Sequence, residues 1–173
     1  GLVQFADRPL VEWVIEAVAP QVGRLLVNAN RNREIYAAYG LPVVADEIEG
    51  FQGPLAGFAS AMAAADTPWI LTVPCDGPFP SPDLADRLGA ALIAEDAEIS
   101  VAAENGRMQP VYALIPVALA ESLHTFLAAG ERKIDRWYAR HKTALADFGD
   151  QPGCFANVNS DEEAAALAKS LAP

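Results

Sequence analysis

The sequence has 173 residues, 52% of them hydrophobic, with 12 Lys plus Arg against 23 Asp plus Glu and a net charge of −11. That length suits one domain with a substantial core, and the acidity argues against binding nucleic acid or an anionic membrane through a basic surface. No apolar run reaches transmembrane length and no charged-then-apolar leader is recognisable, so a cytoplasmic protein is expected, with Cys75 and Cys154 as free thiols.

Residues 1–5 read as a short strand, ending in the turn Ala6-Asp7-Arg8-Pro9. Leu10, Trp13, Val14, Ala17 and Val18 repeat at helical spacing, with Pro9 near the first turn and Pro20 and Gly23 breaking the helix. Residues 24–27 predict a strand that runs into Asn28-Ala29-Asn30-Arg31-Asn32, a run suited to a strand-to-helix turn. A helix over 34–39 and a strand over 42–45 follow, and Asp46 stands just past that strand. Residues 47–52 read as an exposed loop. Gly53-Pro54-Leu55-Ala56-Gly57 then opens a helix through Met62 and Ala65 whose first N–H groups suit an anion or a ligand carbonyl.

The run Trp69 to Val73 predicts a buried strand that stops at Pro74, which puts Asp76 just beyond its end. Pro78, Pro80 and Pro82 stiffen the loop before a helix over 82–94. Strands over 99–102 and 111–115 flank Asn105-Gly106, a hairpin signal. Helices over 117–128 and 133–141 surround Gly130, and a strand over 144–148 comes next. Ser160 with Glu163 makes a capping-box pattern for a helix ending at Leu171. The alternation implies a single three-layer α/β domain with a mostly parallel, mixed sheet. If the first strands are parallel, Asn28 and Asn30, Asp46 and Asp76 share one edge of that sheet, where ligands of such folds bind.

Each polar candidate has two readings. Asp76 is either a capping residue or a metal ligand beside phosphates, since Mg²⁺ takes one or two carboxylates and completes its shell with phosphate oxygens and water. Asp46 is a turn residue or an acceptor for a ribose hydroxyl or a base. The Asn28/Asn30 pair serves turn geometry or a ligand. Asn157 and Asn159 alternate around Val158, so an extended backbone aims both amides the same way, into solvent or into a cleft. Arg132 and Lys133 form a solvated helix start or a phosphate contact. His124 and His141 are isolated and read as surface or satisfied histidines. No Walker A loop, G-x-G-x-x-G fingerprint or serine nucleophile motif occurs.

Taken together, V-N-A-N-R (27–31), Asp46, G-P-L-A-G (53–57), P-C-D-G-P-F (74–79), G-E-R-K (130–133) and N-V-N-S (157–160) resemble the molybdenum cofactor guanylyltransferases, in order and spacing over essentially the whole chain. The resemblance implies a Rossmann-like nucleotidyltransferase fold and transfer of GMP from GTP to the molybdenum cofactor (Mo-molybdopterin), with Mg²⁺ and release of pyrophosphate. It implies Asp76 as the Mg²⁺ ligand and catalytic residue, Asn28 and Asp46 as GTP contacts, and Asn157 and Asn159 near acceptor and metal. Gly53, Gly57, Arg132 and Lys133 are expected near the acceptor or phosphates. Molybdenum insertion proteins and molybdoenzyme chaperones are implied as further partners. Members of that family begin with a strand and a loop of the form L-A-G-G-x-x-x-R-M-G-x-D-K just before the segment matching Gly1-Leu2-Val3. The 173 residues do not contain that loop, so the sequence is expected to begin inside a longer protein and to be catalytically incomplete as it stands. The competing expectations are a related transferase using CTP or a sugar or polyol phosphate, a non-catalytic carrier of the cofactor, and a phosphoacceptor domain centred on Asp76.

Overall fold

The computed structural model describes residues 1–46, 53–160 and 162–164. The chain opens with a small antiparallel hairpin, β1 (Gln4–Phe5) and β2 (Arg8–Pro9), whose turn residues Ala6 and Asp7 have φ of 48° and 64°. The strand expected over 1–5 is confined to its last two residues, because the carbonyls of Gly1 and Val3 accept from the first N–H groups of the next helix, those of Val11 and Leu10. That helix, α1 (Leu10–Val18), begins after Pro9 and buries Leu10, Val11, Val14 and Val18 at the predicted spacing. The strand β3 (Val27–Asn28), helix α2 (Arg33–Ala37) and strand β4 (Val43–Val44) follow, and β3 pairs with β4 in parallel. Next come α3 (Pro54–Ala64), β5 (Trp69–Thr72), α4 (Leu84–Ala94), β6 (Ile99–Glu104), β7 (Arg107–Pro116), α5 (Ala120–Ala128), α6 (Ile134–Tyr138) and β8 (Thr143–Asp147). The predicted loop at 47–52 and most of the final predicted helix lie outside the described residues. No described helix is long and apolar enough to cross a membrane.

The main sheet has the order β5-β7-β6-β8, with β7 antiparallel to both neighbours and β6 parallel to β8. It is mixed, as the Asn-Gly hairpin requires: Asn105 and Gly106 both take positive φ, 51° and 77°, the geometry of a two-residue turn that matches strand twist. One expectation fails here. Among the described residues β5 is not hydrogen-bonded to β3 or β4, so the strand ends at 28–30, 46 and 76 do not lie on one continuous sheet edge. Strand-helix alternation fixes the order of elements along the chain; which edges meet is decided by packing, and here a groove separates them.

The two faces of the sheet carry separate cores. Ile70, Ile99, Val101, Ala113 and Ile115 pack beneath α3, α5 and α6, with Trp137 and Tyr138 fully enclosed. Leu84 and Leu88 of α4 cover the other face with Ala102, Tyr112, Ala146, Phe148 and Phe155. This is the alternation of a sheet buried on both sides. Between Val101 and Ala102 the register jumps: Val101 faces Ala113, but Ala102 faces Gln109, which leaves Pro110, Val111 and Tyr112 without partners on β6. Proline has no ladder donor to give, and a bulge is where a strand tolerates it.

The helix α4 is tied to the far loops by charge. Asp83 accepts from the Ser81 hydroxyl, from Arg87 Nε at 2.8 Å and from Gln151 at 3.1 Å, while Arg87 also forms a two-pronged pair with Asp150 at 2.6 and 2.7 Å. These donors, the Ser81 hydroxyl first and Arg87 next, lower the Asp83 pKa to about 2 from 3.8. A carboxyl with a depressed folded pKa adds stability above its unfolded pKa, and that stability is lost as pH falls toward the folded value. The melting temperature is therefore expected to fall between pH 4 and about 2 more steeply in the wild type than in Asp83→Asn. The side chain is 40% exposed, so the difference is small and shrinks with added salt. Parallel acid profiles of the two proteins in a melting assay would expose the assignment as wrong.

Candidate active site

Where β3 and β4 end, three polar side chains lock together. Asn28 donates to Asp46 Oδ1 at 2.9 Å and Asn30 donates to Asp46 Oδ2 at 2.8 Å, while the Asp46 N–H returns a bond to Asn30 Oδ1 at 2.8 Å. The parallel pairing of Val27 with Val43 and Asn28 with Val44 makes this possible, since it brings two turns distant in sequence to the same level. Two amides fix the orientation of the Asp46 carboxylate, and each of its oxygens keeps a lone pair for a further donor. Asn28 and Asp46, the expected nucleotide contacts, are thus one unit, and Asn30 belongs to it.

Residues of α1, β3, α3 and β5 line a groove of about 470 Å³. Its walls are mostly apolar, among them Val14, Leu26, Phe58, Leu71 and Val73, and Asn28, Gly57 and Asp76 all face it. Gly57 sits so close to Asn28 that a Cβ there would fall 2.5 Å from Asn28 Oδ1. Only glycine lets the first turn of α3 approach this side chain. Gly53, at φ 148° before Pro54, starts the helix and is exposed. Gly1 is packed against the exposed Cys75, next to Asp76: a Cβ on it would lie 2.8 Å from Cys75 Sγ and 3.1 Å from the Tyr36 hydroxyl oxygen.

Asp76 stands three residues beyond Val73 in the predicted place, and its carboxylate makes no hydrogen bond or ion pair among the described residues. Its backbone is tied down instead, the Asp76 carbonyl accepting from Val158 N–H at 2.8 Å. Val158 is 2% exposed, whereas Asn157 and Asn159 on either side of it are exposed, the alternation expected of an extended segment. This single bond sets the asparagine pair beside the Asp76 loop. Ser160 and Glu163 then form the expected cap: Ser160 Oγ accepts from Glu163 N–H at 3.1 Å, and the Glu163 carboxylate accepts from Asn159 N–H at 2.7 Å.

The basic pair behaves differently. Arg132 donates to the carbonyls of Leu127 and Glu131 at the end of α5, at 3.2 and 2.7 Å, and neither Arg132 nor Lys133 lines the groove. His141 pairs with Ser122 and Glu98, and burial pushes the Cys154 thiol up to about 11, consistent with inert structural roles. Tyr112, whose hydroxyl abuts Gly77 beside Asp76, has no motif in the sequence that marks it as a site residue. The signal that could have found it is Pro110, a proline inside a strand-like run, which marks a bulge that re-aims its neighbours.

Residues 1–144 match the family model described as the MobA-like NTP transferase domain. The chain belongs to this family. MobA-like relatives extend the match almost to the full chain: it is 47% identical over 172 residues to the molybdenum cofactor guanylyltransferase of Shewanella loihica, covering 99% of this chain and 88% of that protein. It is 48% identical over 171 residues to the protein of the same name from Shewanella sp. strain MR-4, covering 99% and 87%. Among solved structures, molybdopterin-guanine dinucleotide biosynthesis protein A from Archaeoglobus fulgidus superposes with a TM-score of 0.79 at 17% identity, over 98% of this chain and 88% of that one. The 2-C-methyl-D-erythritol 4-phosphate cytidylyltransferase of Thermus thermophilus superposes with a TM-score of 0.71 at 19% identity, over 98% and 92%. At such identities the superpositions establish the Rossmann-like nucleotidyltransferase fold alone. The MobA-like fold is thus shared by transferases named for different nucleotides.

Proposed function

We propose that the protein transfers GMP from GTP to the molybdenum cofactor (Mo-molybdopterin), giving the guanine dinucleotide cofactor and pyrophosphate. The observation that carries this reading is near-full-length identity of 47% and 48% to relatives named for that activity. The geometry supports it: a nucleotide-sized groove has an oriented carboxylate, Asp46, near one polar wall residue, Asn28, and an unpaired carboxylate, Asp76, on a fixed loop. Asp46 with Asn28 and Asn30 would accept from the base or ribose. Pro54 and Gly57 at the start of α3 line the groove, and the first N–H groups of that helix, after Gly53, would suit phosphate oxygens.

The single carboxylate of Asp76 suits Mg²⁺, a hard ion that is content with one protein carboxylate when phosphate oxygens and water supply the rest. Asp76 would hold it, and when bound it would neutralise charge building on the leaving pyrophosphate. The protein supplies no nucleophile. A terminal phosphate oxygen of the pterin attacks the α-phosphorus of GTP in line, forming one P–O bond while the bond to the β-phosphate bridge breaks. Asn157 and Asn159, anchored by Val158, orient that acceptor through amide N–H donors, so catalysis comes from positioning and fixed dipoles. Arg132 and Lys133 have the chemistry for pyrophosphate contact, although neither lines the groove. GTP as a substrate and the acidic surface favour action in the cytoplasm, with molybdenum insertion proteins and molybdoenzyme chaperones upstream and downstream.

Gly1 lines the same apolar groove beside Cys75. The protein is expected to form the guanine dinucleotide with GTP and Mg²⁺. CTP or UTP preferred over GTP in competition would overturn the guanylyl assignment. Pterin binding with no turnover on any nucleotide would favour a carrier.

A further inference from the structure

In the bulge of β7, two of the freed carbonyls are taken by hydroxyls: Tyr138 donates to Pro110 at 2.7 Å and Thr72 to Val111 at 2.7 Å. The third residue, Tyr112, is the exception. It is 3% exposed, and its own hydroxyl is fully buried with no hydrogen-bond partner among the described residues. A phenylalanine would fill the same space without burying an unpaired oxygen, an unfavourable arrangement in a resting protein.

The position of that oxygen explains its presence. A Cβ on Gly77 would stand 2.1 Å from the Tyr112 hydroxyl oxygen, so the hydroxyl presses directly on the backbone next to Asp76. Asn157 Oδ1 would lie 3.4 Å from that same Gly77 Cβ. The ring is held by Phe155, at a centroid distance of 4.7 Å and edge to face, two residues before Asn157. The Asp76 carbonyl meanwhile holds Val158. One hydroxyl thus sits at the junction of the Asp76 loop and the asparagine segment. Burial first, and then the neighbouring Asp76 charge, push this phenol far above its ordinary pKa, so it stays a donor.

We propose that Tyr112 is a positioning residue: in the substrate-loaded site its hydroxyl donates to the Asn157 side-chain oxygen and so turns the Asn157 NH₂ toward the phosphates. This role rests on the nucleotidyl-transfer reading above. It also assigns Gly77, whose missing side chain is the space the hydroxyl uses.

Kinetics and melting curves of the protein test it. Tyr112→Phe keeps the ring and its packing. It is expected to leave the melting temperature unchanged or raised and KM for GTP within about twofold, while lowering kcat about tenfold, the size of one hydrogen bond made only in the loaded site. Gly77→Ala is expected to lower kcat about a hundredfold by placing a methyl against the hydroxyl, and Tyr112→Phe in the same chain to restore about tenfold of that, since the ring carbon Cζ is 3.4 Å away and leaves room. The rescue separates a contact at this junction from a general loss of fold. Wild-type transfer together with an unchanged kcat in Tyr112→Phe, or no rescue in the double variant, overturns the role of Tyr112 and leaves the transferase reading standing. No transfer by the wild-type protein overturns both.

Discussion

Asp76→Asn is expected to lower GMP transfer by at least about 10²–10³-fold while the melting temperature stays where it was, the scale seen when one preorganised electrostatic group is lost from an active site. The two halves of the expectation have separate causes. The carboxylate has no hydrogen bond or ion pair among the described residues, so its charge holds nothing in the resting fold, and asparagine keeps its shape. The loop is held by its backbone, through the Asp76 carbonyl and Val158 N–H at 2.8 Å, a bond the substitution leaves alone. What asparagine lacks is the negative charge that would hold a hard cation against the triphosphate. Single-turnover transfer with saturating Mg²⁺ is the measurement, beside a melting curve. Full activity would remove Asp76 from the metal assignment, and a collapsed melting temperature would mean that the carboxylate has a structural task.

Trp137→Ala is expected to cost about 3–5 kcal/mol of folding stability, a large part of the roughly 5–15 kcal/mol that holds a domain of this kind. The indole is completely buried on α6 among the residues that join α3, α5 and the sheet, and its Nε1 donates to Ser122 Oγ at 3.3 Å. Ser122 in turn meets His141 Nε2 at 2.9 Å, so truncation opens a cavity and disturbs a polar chain together. Trp137→Phe separates the two contributions, because it refills most of the volume and loses only the donor, a change on the order of 1 kcal/mol. Urea unfolding of both variants gives the comparison. An alanine variant within about 1 kcal/mol of wild type would mean that the helical layer repacks around the gap.

Local patterning was enough for most elements, and the reason differs from one to the next. The spacing of Leu10, Val14 and Val18 places α1 on the core, and the helix ends at Val18, two residues before Pro20, which lacks the N–H to continue it. Asn105-Gly106 specified its hairpin because few other residues accept positive φ twice in succession. The alternation of Asn157, Val158 and Asn159 was legible because a period of two buries one side chain and exposes its neighbours. Less was legible where the chain leaves regular structure. Residues 1–5 have strand-like composition, yet two of them, Gly1 and Val3, serve the start of α1.

The sequence alone determined the order of helices and strands, the hairpin, the capping of the last helix and the set of polar residues at strand ends, because each depends on residues within a few positions of one another. Only the tertiary structure decided which of these meet. Asn28 and Asn30 reach Asp46 across a parallel pairing, Gly57 yields its side-chain space to Asn28, and Arg132 turns to carbonyls at the end of α5 instead of to the groove. Tyr112 is the sharpest case: three residues of β7 without partners on β6 aim its hydroxyl beneath Gly77, between Asp76 and Asn157. A register jump depends on the partner strand and on the hydroxyls of Thr72 and Tyr138 that satisfy it, and no local pattern encodes where those will stand.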